Sequence, residues 1–331
     1  MTLRRLLITA ALFAVAAPAA AHAAPSLATW DKREQTEVVR AGLMTKLPDG
    51  FEGDQPLTSA DLSQAFAALS ATSGTPAVSV SSSPLSLTRF DALLVAQLGL
   101  SDAAQLFQDG ARNAGLRPPS YFGTEVVARL LALRYNHQSP YDNLELYPSD
   151  RITRAEAAYS LAQVLHMDAW AADYARQTAA RFQLPTYTSA QRRVLTLAVS
   201  KIGMPYVWGG ETDGSSPGQV HGGYDCSGFA WRVFKLSGNR AGRQIRGRTA
   251  AQQAGEIPRS KRIRLADVRP ADLLFFGSAK FGSKATESNV VHEGIALSGQ
   301  FAIHSSSQGV YVLPLDQGWL QSEFTWARRV L

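Results

Sequence analysis

Cysteine is almost absent: the 331 residues contain one, Cys226, so no internal disulfide can form. Beyond the first residues, no segment approaches the run of about 20 apolar residues that a membrane-spanning helix needs. Histidine, cysteine and carboxylate side chains also lack the clustered spacing of metal ligands. These absences argue against a disulfide-stapled fold, a membrane span and a metal mechanism. We expect no metal or other cofactor.

The start of the chain has the layout of a secretory signal peptide. Two arginines precede an apolar run over residues 6–17, and Ala21-His22-Ala23 has small residues at the two positions that a signal peptidase recognises. Because the run is too short to span a bilayer, the alternative is an uncleaved anchor in the membrane interface. We predict a signal peptide over 1–23, a mature protein beginning near Ala24, and export to the cell envelope.

The composition is that of a globular chain, with 45% apolar and 18% charged residues. The net charge is +6, which in an exported protein favours an anionic partner such as wall polymer or lipid headgroups. Nucleic acid is not expected, because the basic residues are not interleaved with aromatic ones. A lone thiol in an exported protein is either paired with another chain or kept for its reactivity.

Helix starts of one kind recur in the first half. Leu57–Asp61, Leu87–Asp91 and Ile152–Glu156 each place a threonine after an apolar residue and three residues before an acidic one. Such a threonine caps the helix by accepting a hydrogen bond from a backbone N–H, and the acidic residue suits the helix dipole. We predict helices starting at these threonines and another over Gly123–Tyr135. They lie in an all-helical domain over 24–180, followed by a linker over 181–188.

Cys226 begins a predicted helix within a second domain over 189–331. Phe229, Ala230, Val233 and Leu236 follow at helical spacing. A thiol at a helix N-terminus faces unpaired backbone N–H groups and the positive end of the dipole, which favours the thiolate. This placement is typical of a nucleophile, and a packing role is the alternative.

A nucleophilic thiol needs a base, and two histidines lie on a predicted hairpin. Val290–Leu297 and Gln300–Val312 are predicted strands joined at Ser298-Gly299, which places His292 opposite His304. Both histidines share a face with small residues, which leaves space for a helix end. We predict that they form a catalytic cluster with Cys226. The alternative is that they are ordinary polar strand residues.

Short motifs follow one another in the second domain. They are Pro205-Tyr206 with Trp208-Gly209-Gly210, Asp225–Phe229, Asp272–Phe276, His292 with Gly294-Ile295, and Ile303–Ser305. Together they resemble the NlpC-type cell-wall cysteine peptidases, over about Ser189 to Leu331. The resemblance implies a papain-like fold with Cys226 as nucleophile, His292 as base, His304 as the residue orienting the base, and Tyr206 beside the oxyanion. Three features depart from the family pattern. They are the long loop after Gly210, the alanine at 271 before Asp272, and Glu293 directly after His292.

The expected fold class is α+β. The helix bearing Cys226 packs on an antiparallel sheet in a papain-like domain, which an all-helical, repeat-like domain precedes. With Pro48-Asp49-Gly50 and its helix starts, the first half resembles degenerate S-layer homology repeats, which hold exported proteins to wall polymers. A generic helical domain is the alternative.

The resemblance implies a peptidoglycan endopeptidase that cuts stem peptides, most often between γ-D-glutamyl and a diamino acid. One alternative is a wall-binding structural protein with an inactive hydrolase domain. Another is a thiol amidase or transacylase acting on a different exported substrate. A basic stretch is either a solvated surface or a patch for anionic wall polymer or stem-peptide carboxylates. It comprises Arg240, Arg243, Arg246, Arg248, Arg259, Lys261, Arg262, Arg264 and Arg269.

Overall fold

The computed structural model describes residues 31–139, 141–215, 219–316 and 318–331. The predicted signal peptide lies outside these residues. The first half is helical, with a 3-10 turn at Asp142–Leu144. Its helices are α1 (Lys32–Arg40), α2 (Ser59–Ser73), α3 (Leu87–Gln97), α4 (Ser101–Asn113), α5 (Phe122–Leu130), α6 (Arg154–His166) and α7 (Ala171–Arg181).

Two of the predicted caps are confirmed and one is wrong. Thr58 forms a full capping box with Asp61, and Thr153 accepts the Glu156 N–H at the start of α6. α3 instead begins two residues early, because the Ser86 hydroxyl accepts the Arg89 N–H at 3.3 Å. The Thr88 hydroxyl then donates to a backbone carbonyl at 3.1 Å. α5 is also shorter than predicted and ends at Leu130, followed by Ala132 at a positive φ of 55°.

The second half combines helices with two sheets. Its elements are α8 (Ser189–Val199), β1 (Glu211–Thr212), β2 (Gly223–Tyr224), α9 (Cys226–Leu236), α10 (Ala250–Gly255), β3 (Leu273–Phe276), β4 (His292–Ala296), β5 (Phe301–Ser306), β6 (Gly309–Pro314), α11 (Gly318–Ser322) and β7 (Phe324–Arg328). β1 and β2 pair, and the other strands form an antiparallel five-stranded sheet in the order β6-β5-β4-β3-β7. α9 packs on β4, β5 and α8. The predicted α+β class is confirmed.

The second predicted hairpin strand is wrong as a single element. The segment 300–312 divides into β5 and β6, with a turn at Ser307-Gln308 before Gly309. Gly309 has φ of 76°, and a Cβ there would lie 2.3 Å from the Met204 carbonyl oxygen. Glycine is the residue that tolerates both the positive φ and the close carbonyl, and it allows the chain to reverse at this point. Leu236, which follows Phe229, Ala230 and Val233 at helical spacing, is 49% exposed, whereas those three are buried.

The two halves pack against each other through one continuous hydrophobic core. Phe182, just after α7, lies with its ring 4.9 Å from that of Phe107 and 5.0 Å from that of Phe301 in β5. α5 packs on β6, and the Arg129 side chain donates to the Gln308 carbonyl at 2.8 Å. The helical half therefore reaches the edge of the sheet that carries the histidines. No helix in the described residues has the length and apolarity to cross a bilayer.

Candidate active site

Asp225 fixes the N-terminus of α9 and so the position of Cys226. Its Oδ1 accepts the Gly228 N–H at 2.5 Å, and both of its oxygens accept from the Arg248 guanidinium at 2.9–3.0 Å. A Cβ on Gly228 would lie 2.0 Å from the Gly210 carbonyl oxygen, so this helix turn needs glycine. Cys226 is the first residue of α9, as predicted, and is 8% exposed.

His292 and His304 form a direct pair. His292 Nε2 lies 2.8 Å from His304 Nδ1, with the rings perpendicular. The predicted register is wrong by two residues, since His304 pairs with Gly294 and not with His292. The loop closes between Leu297 and Phe301, one residue wider than a Ser298-Gly299 turn. Because the register differs by two residues, His292 and His304 still lie on the same face of the sheet. Gly294, opposite His304, has no side chain and leaves room for the diagonal contact between the two imidazoles.

The pairing decides which nitrogen of His292 can act on the thiol. With Nε2 held by His304, Nδ1 is the nitrogen left for Cys226. A basic Nδ1 requires the tautomer in which Nε2–H donates to His304 Nδ1. The Trp319 ring covers the pair, at 5.1 Å from His292 and 5.7 Å from His304. His304 Nε2 is buried without a hydrogen-bond partner in the part of the chain described.

Cys226, His292 and Tyr206 line one cavity of about 470 Å³. Its volume is in the range of small-ligand sites. Both halves of the chain contribute to its wall. The lining residues are Tyr135, Asn136, His137, Gln138, Ser139, Asp142, Tyr206, Trp208, Cys226, Val291, His292, Ser306 and Ser307.

Tyr206 is held in this cavity by a residue of the helical half. Asn136 Nδ2 donates to the Tyr206 carbonyl at 2.9 Å, and Asn136 Oδ1 accepts the Tyr206 N–H at 2.5 Å. Burial raises the pKa of the Tyr206 phenol, with a further contribution from Cys226. The phenol is therefore a neutral O–H donor at physiological pH.

Burial controls the protonation of the thiol and the imidazole. It raises the pKa of Cys226 to about 12, with the Glu293 and Asp225 carboxylates adding to the rise. Burial also lowers the pKa of His292 to about 3. Both groups are therefore neutral near pH 7. The expected stabilisation of a thiolate by the helix N-terminus is outweighed here by desolvation, which disfavours charged forms.

Several residues at or near the candidate active site belong to no sequence motif that points to them. Asn136 and Asp142 belong to the irregular segment after α5, and only the tertiary fold brings them to the thiol. Arg248 was grouped with the basic stretch, yet it pairs with Asp225 and with Glu211 at 2.8 Å. Glu293 follows His292 in β4, so the alternation of a strand places it on the opposite face, and it is completely buried. Its two carboxylate oxygens have no hydrogen-bond partner among the described residues.

The basic stretch is not a uniformly free surface. The Arg262 guanidinium lies 3.5 Å from the Trp326 ring centre, and that of Arg264 lies 4.4 Å from the Phe281 ring centre. Arg262 also donates to the Ser283 carbonyl at 2.8 Å. These side chains therefore contribute to packing as well as to charge.

Comparison with known proteins finds a family and relatives that are similar to part of the second half. Residues 203–329 match the family model described as NlpC/P60 family, so the predicted resemblance is confirmed for this region. The chain is 30% identical over 132 residues to the gamma-D-glutamyl-L-lysine dipeptidyl-peptidase of Bacillus subtilis, covering 39% of this chain and 37% of that protein. It is 29% identical over 137 residues to the "Probable peptidoglycan endopeptidase LytE" of Bacillus subtilis, covering 41% and 34%.

A solved P60 domain of antigen MAP1204 from M. avium subspecies paratuberculosis is also similar. It shows 24% identity and a TM-score of 0.31, covering 43% of this chain and 94% of that one. The chain spans between 21% and 37% of the length of the curated relatives it matches. The similarity to curated relatives therefore concerns one part of each protein.

Proposed function

We propose that this chain, whose residues 203–329 form an NlpC/P60 domain, is an exported peptidoglycan hydrolase. It would be a cysteine endopeptidase that cleaves stem peptides at the bond between γ-D-glutamyl and a diamino acid. The observation that carries the proposal is one cavity that contains the Cys226 thiol and the His292 imidazole, with His292 bonded to His304. Relatives named as a gamma-D-glutamyl-L-lysine dipeptidyl-peptidase and a peptidoglycan endopeptidase support the substrate class.

In the proposed mechanism, acylation starts from a neutral thiol and a neutral imidazole. The Cys226 sulfur attacks the γ-glutamyl carbonyl carbon while its proton passes to His292 Nδ1. Proton transfer and attack are coupled, because burial disfavours a separate thiolate and imidazolium. The backbone N–H of Cys226 and the Tyr206 O–H are the candidate donors to the oxyanion. Loss of one such donor typically raises the barrier by about 3 kcal/mol.

The intermediate then collapses to a thioester. The C–N bond breaks, and His292 returns its proton to the leaving amine of the diamino acid. Water attacks the thioester, gives its proton to His292, and the acid product leaves as the proton returns to the Cys226 sulfur. His304 orients His292 through the Nε2–Nδ1 bond. Because His304 carries no negative charge, it stabilises the imidazolium less than an aspartate would.

Export and wall attachment belong to the same proposal. The sequence of residues 1–23 supports secretion, and the net charge of +6 supports an anionic wall partner. The S-layer resemblance makes the helical half the candidate polymer-binding region. N-terminal sequencing of protein recovered from the envelope of expressing cells tests the export step. Cleavage at the predicted site gives a mature chain beginning near Ala24.

The test of activity is digestion of purified peptidoglycan by the mature protein and by its Cys226→Ala variant. Soluble fragments are identified by mass, with circular dichroism confirming that both proteins are folded. Stem-peptide fragments from the wild type alone support the proposal and identify the bond cut. If neither protein releases fragments while both sediment with the wall, the chain is either a wall-binding protein with an inactive hydrolase domain or a restrained enzyme, and the same assay on residues from about Ser189 onward tells these apart.

A further inference from the structure

A second cavity lies where the two halves meet, and its charged lining is entirely basic. Its volume is about 500 Å³, and its wall includes Arg117 from the segment after α4, Arg192 and Arg193 from α8, and Leu236 at the end of α9. It shares no described lining residue with the cavity that contains the thiol. Because α9 runs from Cys226 to Leu236, about 15 Å of helix separates the two. The second cavity is therefore distinct from the candidate active site.

The three guanidinium groups have no carboxylate to balance their charge in the part of the chain that the structure describes. No aspartate or glutamate is among the described lining residues. No ion pair among the described residues involves Arg117, Arg192 or Arg193. By contrast, Arg176 on the surface of α7 contacts Asp173 at 3.0 Å. Like charges around one cavity repel, and an anion between them would replace this repulsion by attraction.

Uncharged groups fix the positions of two of these guanidiniums. Arg193 donates to Asn239 Oδ1 at 2.7 Å, and Asn239 Nδ2 in turn donates to a backbone carbonyl of α8 at 3.2 Å. Arg192 donates to the Tyr187 carbonyl at 3.3 Å, and a Cβ on Gly115 would lie 3.2 Å from Arg192 Nε. These acceptors orient the guanidiniums without neutralising them. Such preorganisation lowers the entropy cost of binding a ligand.

We propose that this cavity binds the phosphate group of a phosphate ester through Arg117, Arg192 and Arg193. A guanidinium presents a planar fork of N–H donors that matches phosphate and carboxylate oxygens. A tetrahedral phosphate has enough oxygens to accept from all three guanidiniums at once, whereas a planar carboxylate is saturated by one or two. Leu236, which is 49% exposed, and Leu197 give the wall an apolar side for the carbon atoms of the ester.

The inference goes beyond the proposed function, because the site is remote from the thiol and its ligand need not be the peptide that is cleaved. The net charge of +6 favours the approach of such an anion. Two sources share the phosphate ester chemistry: a free phosphate ester and the headgroup of a phospholipid.

An NMR titration of the arginine Nε–Hε signals of the mature protein tests the inference without cleavage. The probes are sn-glycerol 3-phosphate and glycerate, which has a carboxylate in place of the phosphate ester. Arg117→Gln, Arg192→Gln and Arg193→Gln assign the signals and measure each contribution, with thermal unfolding as the control for folding. Arg33→Gln, at an exposed position on α1, is the matched control for loss of one positive charge.

We expect glycerol 3-phosphate to shift the three arginine signals with one dissociation constant, about 10-fold lower than that of glycerate. Each of the three substitutions should raise that constant by about 10-fold, as for the loss of one charge-assisted hydrogen bond, and Arg33→Gln should leave it unchanged. Equal binding of the two probes, or equal weakening by Arg33→Gln and Arg193→Gln, overturns the inference. The absence of any saturable shift among the arginine signals of the wild type overturns it even if a variant does not fold.

Sedimentation with vesicles identifies the source of the phosphate. Phosphatidylglycerol vesicles are compared with phosphatidylcholine vesicles, which carry no net charge. Binding to phosphatidylglycerol that Arg193→Gln loses and Arg33→Gln retains supports the site with a phospholipid headgroup as its ligand. Saturable binding of glycerol 3-phosphate without such vesicle binding supports the site with a free phosphate ester as its ligand.

Discussion

Asn136→Ala should impair catalysis although Asn136 belongs to the helical half. The substitution removes the bonds of 2.9 Å and 2.5 Å that hold the Tyr206 backbone. A buried group left unpaired costs about 1–3 kcal/mol. Water from the cavity can satisfy part of this loss, so we use the lower end, about 2 kcal/mol for the two groups. If this loss appears in the transition state, the rate falls about 30-fold.

The loss should appear mainly in kcat, because in the proposed mechanism the Tyr206 O–H contacts the oxyanion only as the transition state forms. Steady-state kinetics on a stem tripeptide with the γ-D-glutamyl-L-lysine bond measure kcat and KM for Asn136→Ala. Tyr206→Phe completes a double-mutant cycle. A kcat within twofold of the wild type, or effects of Asn136→Ala and Tyr206→Phe that add independently, would refute the role of Asn136 in positioning Tyr206.

Three further predictions concern the histidines and their neighbour. His292→Ala should lower kcat on the stem tripeptide by on the order of 10³-fold and His304→Ala by only about 10- to 100-fold; equal losses contradict the assigned roles. Because burial lowers the pKa of His292 to about 3 and raises that of Cys226 to about 12, the reactive neutral pair persists between these values. kcat/KM should then be flat from about pH 5 to pH 9, and an acid limb near pH 6.5 would contradict this. Burial raises the pKa of Glu293 well above 4.5, so its ionisation opposes folding. The free energy of unfolding in urea should therefore be higher for Glu293→Gln than for the wild type, and this difference should grow above pH 4.5 by up to about 1.4 kcal/mol per pH unit. A difference that is constant with pH would show that ionisation of Glu293 does not destabilise the folded state.

The sequence predicts the local parts of the site well. Cys226 at the start of a helix follows from apolar spacing, and the shared face of the histidines follows from the two-residue period of a strand. That period also explains why a register wrong by two residues still brings His292 to His304. The turn before Gly309 is signalled by the serines at 305–307 and by the glycine, but the strand-forming residues on both sides, 301–303 and 310–312, favour one longer strand.

Long-range features could not be predicted in the same way. Asn136 contacts Tyr206 across 70 residues of sequence, and no periodicity records such a contact. The protonation of Cys226 was predicted from the helix dipole alone. Its burial depends on the packing of α9 against β4, which the sequence does not specify. The domain limits 24–180 and 189–331, the S-layer resemblance and the export signal stay predictions.

The most direct test of the account is whether peptide cleavage depends on the Cys226 sulfur. The rate on the stem tripeptide is measured for the wild type, Cys226→Ser and Cys226→Ala, with matched thermal unfolding curves as the control for folding. We predict that both variants lose on the order of 10⁴-fold or more in kcat, as when other hydrolases lose their nucleophile. A variant without the sulfur that retains a rate within tenfold of the wild type would contradict covalent catalysis by Cys226.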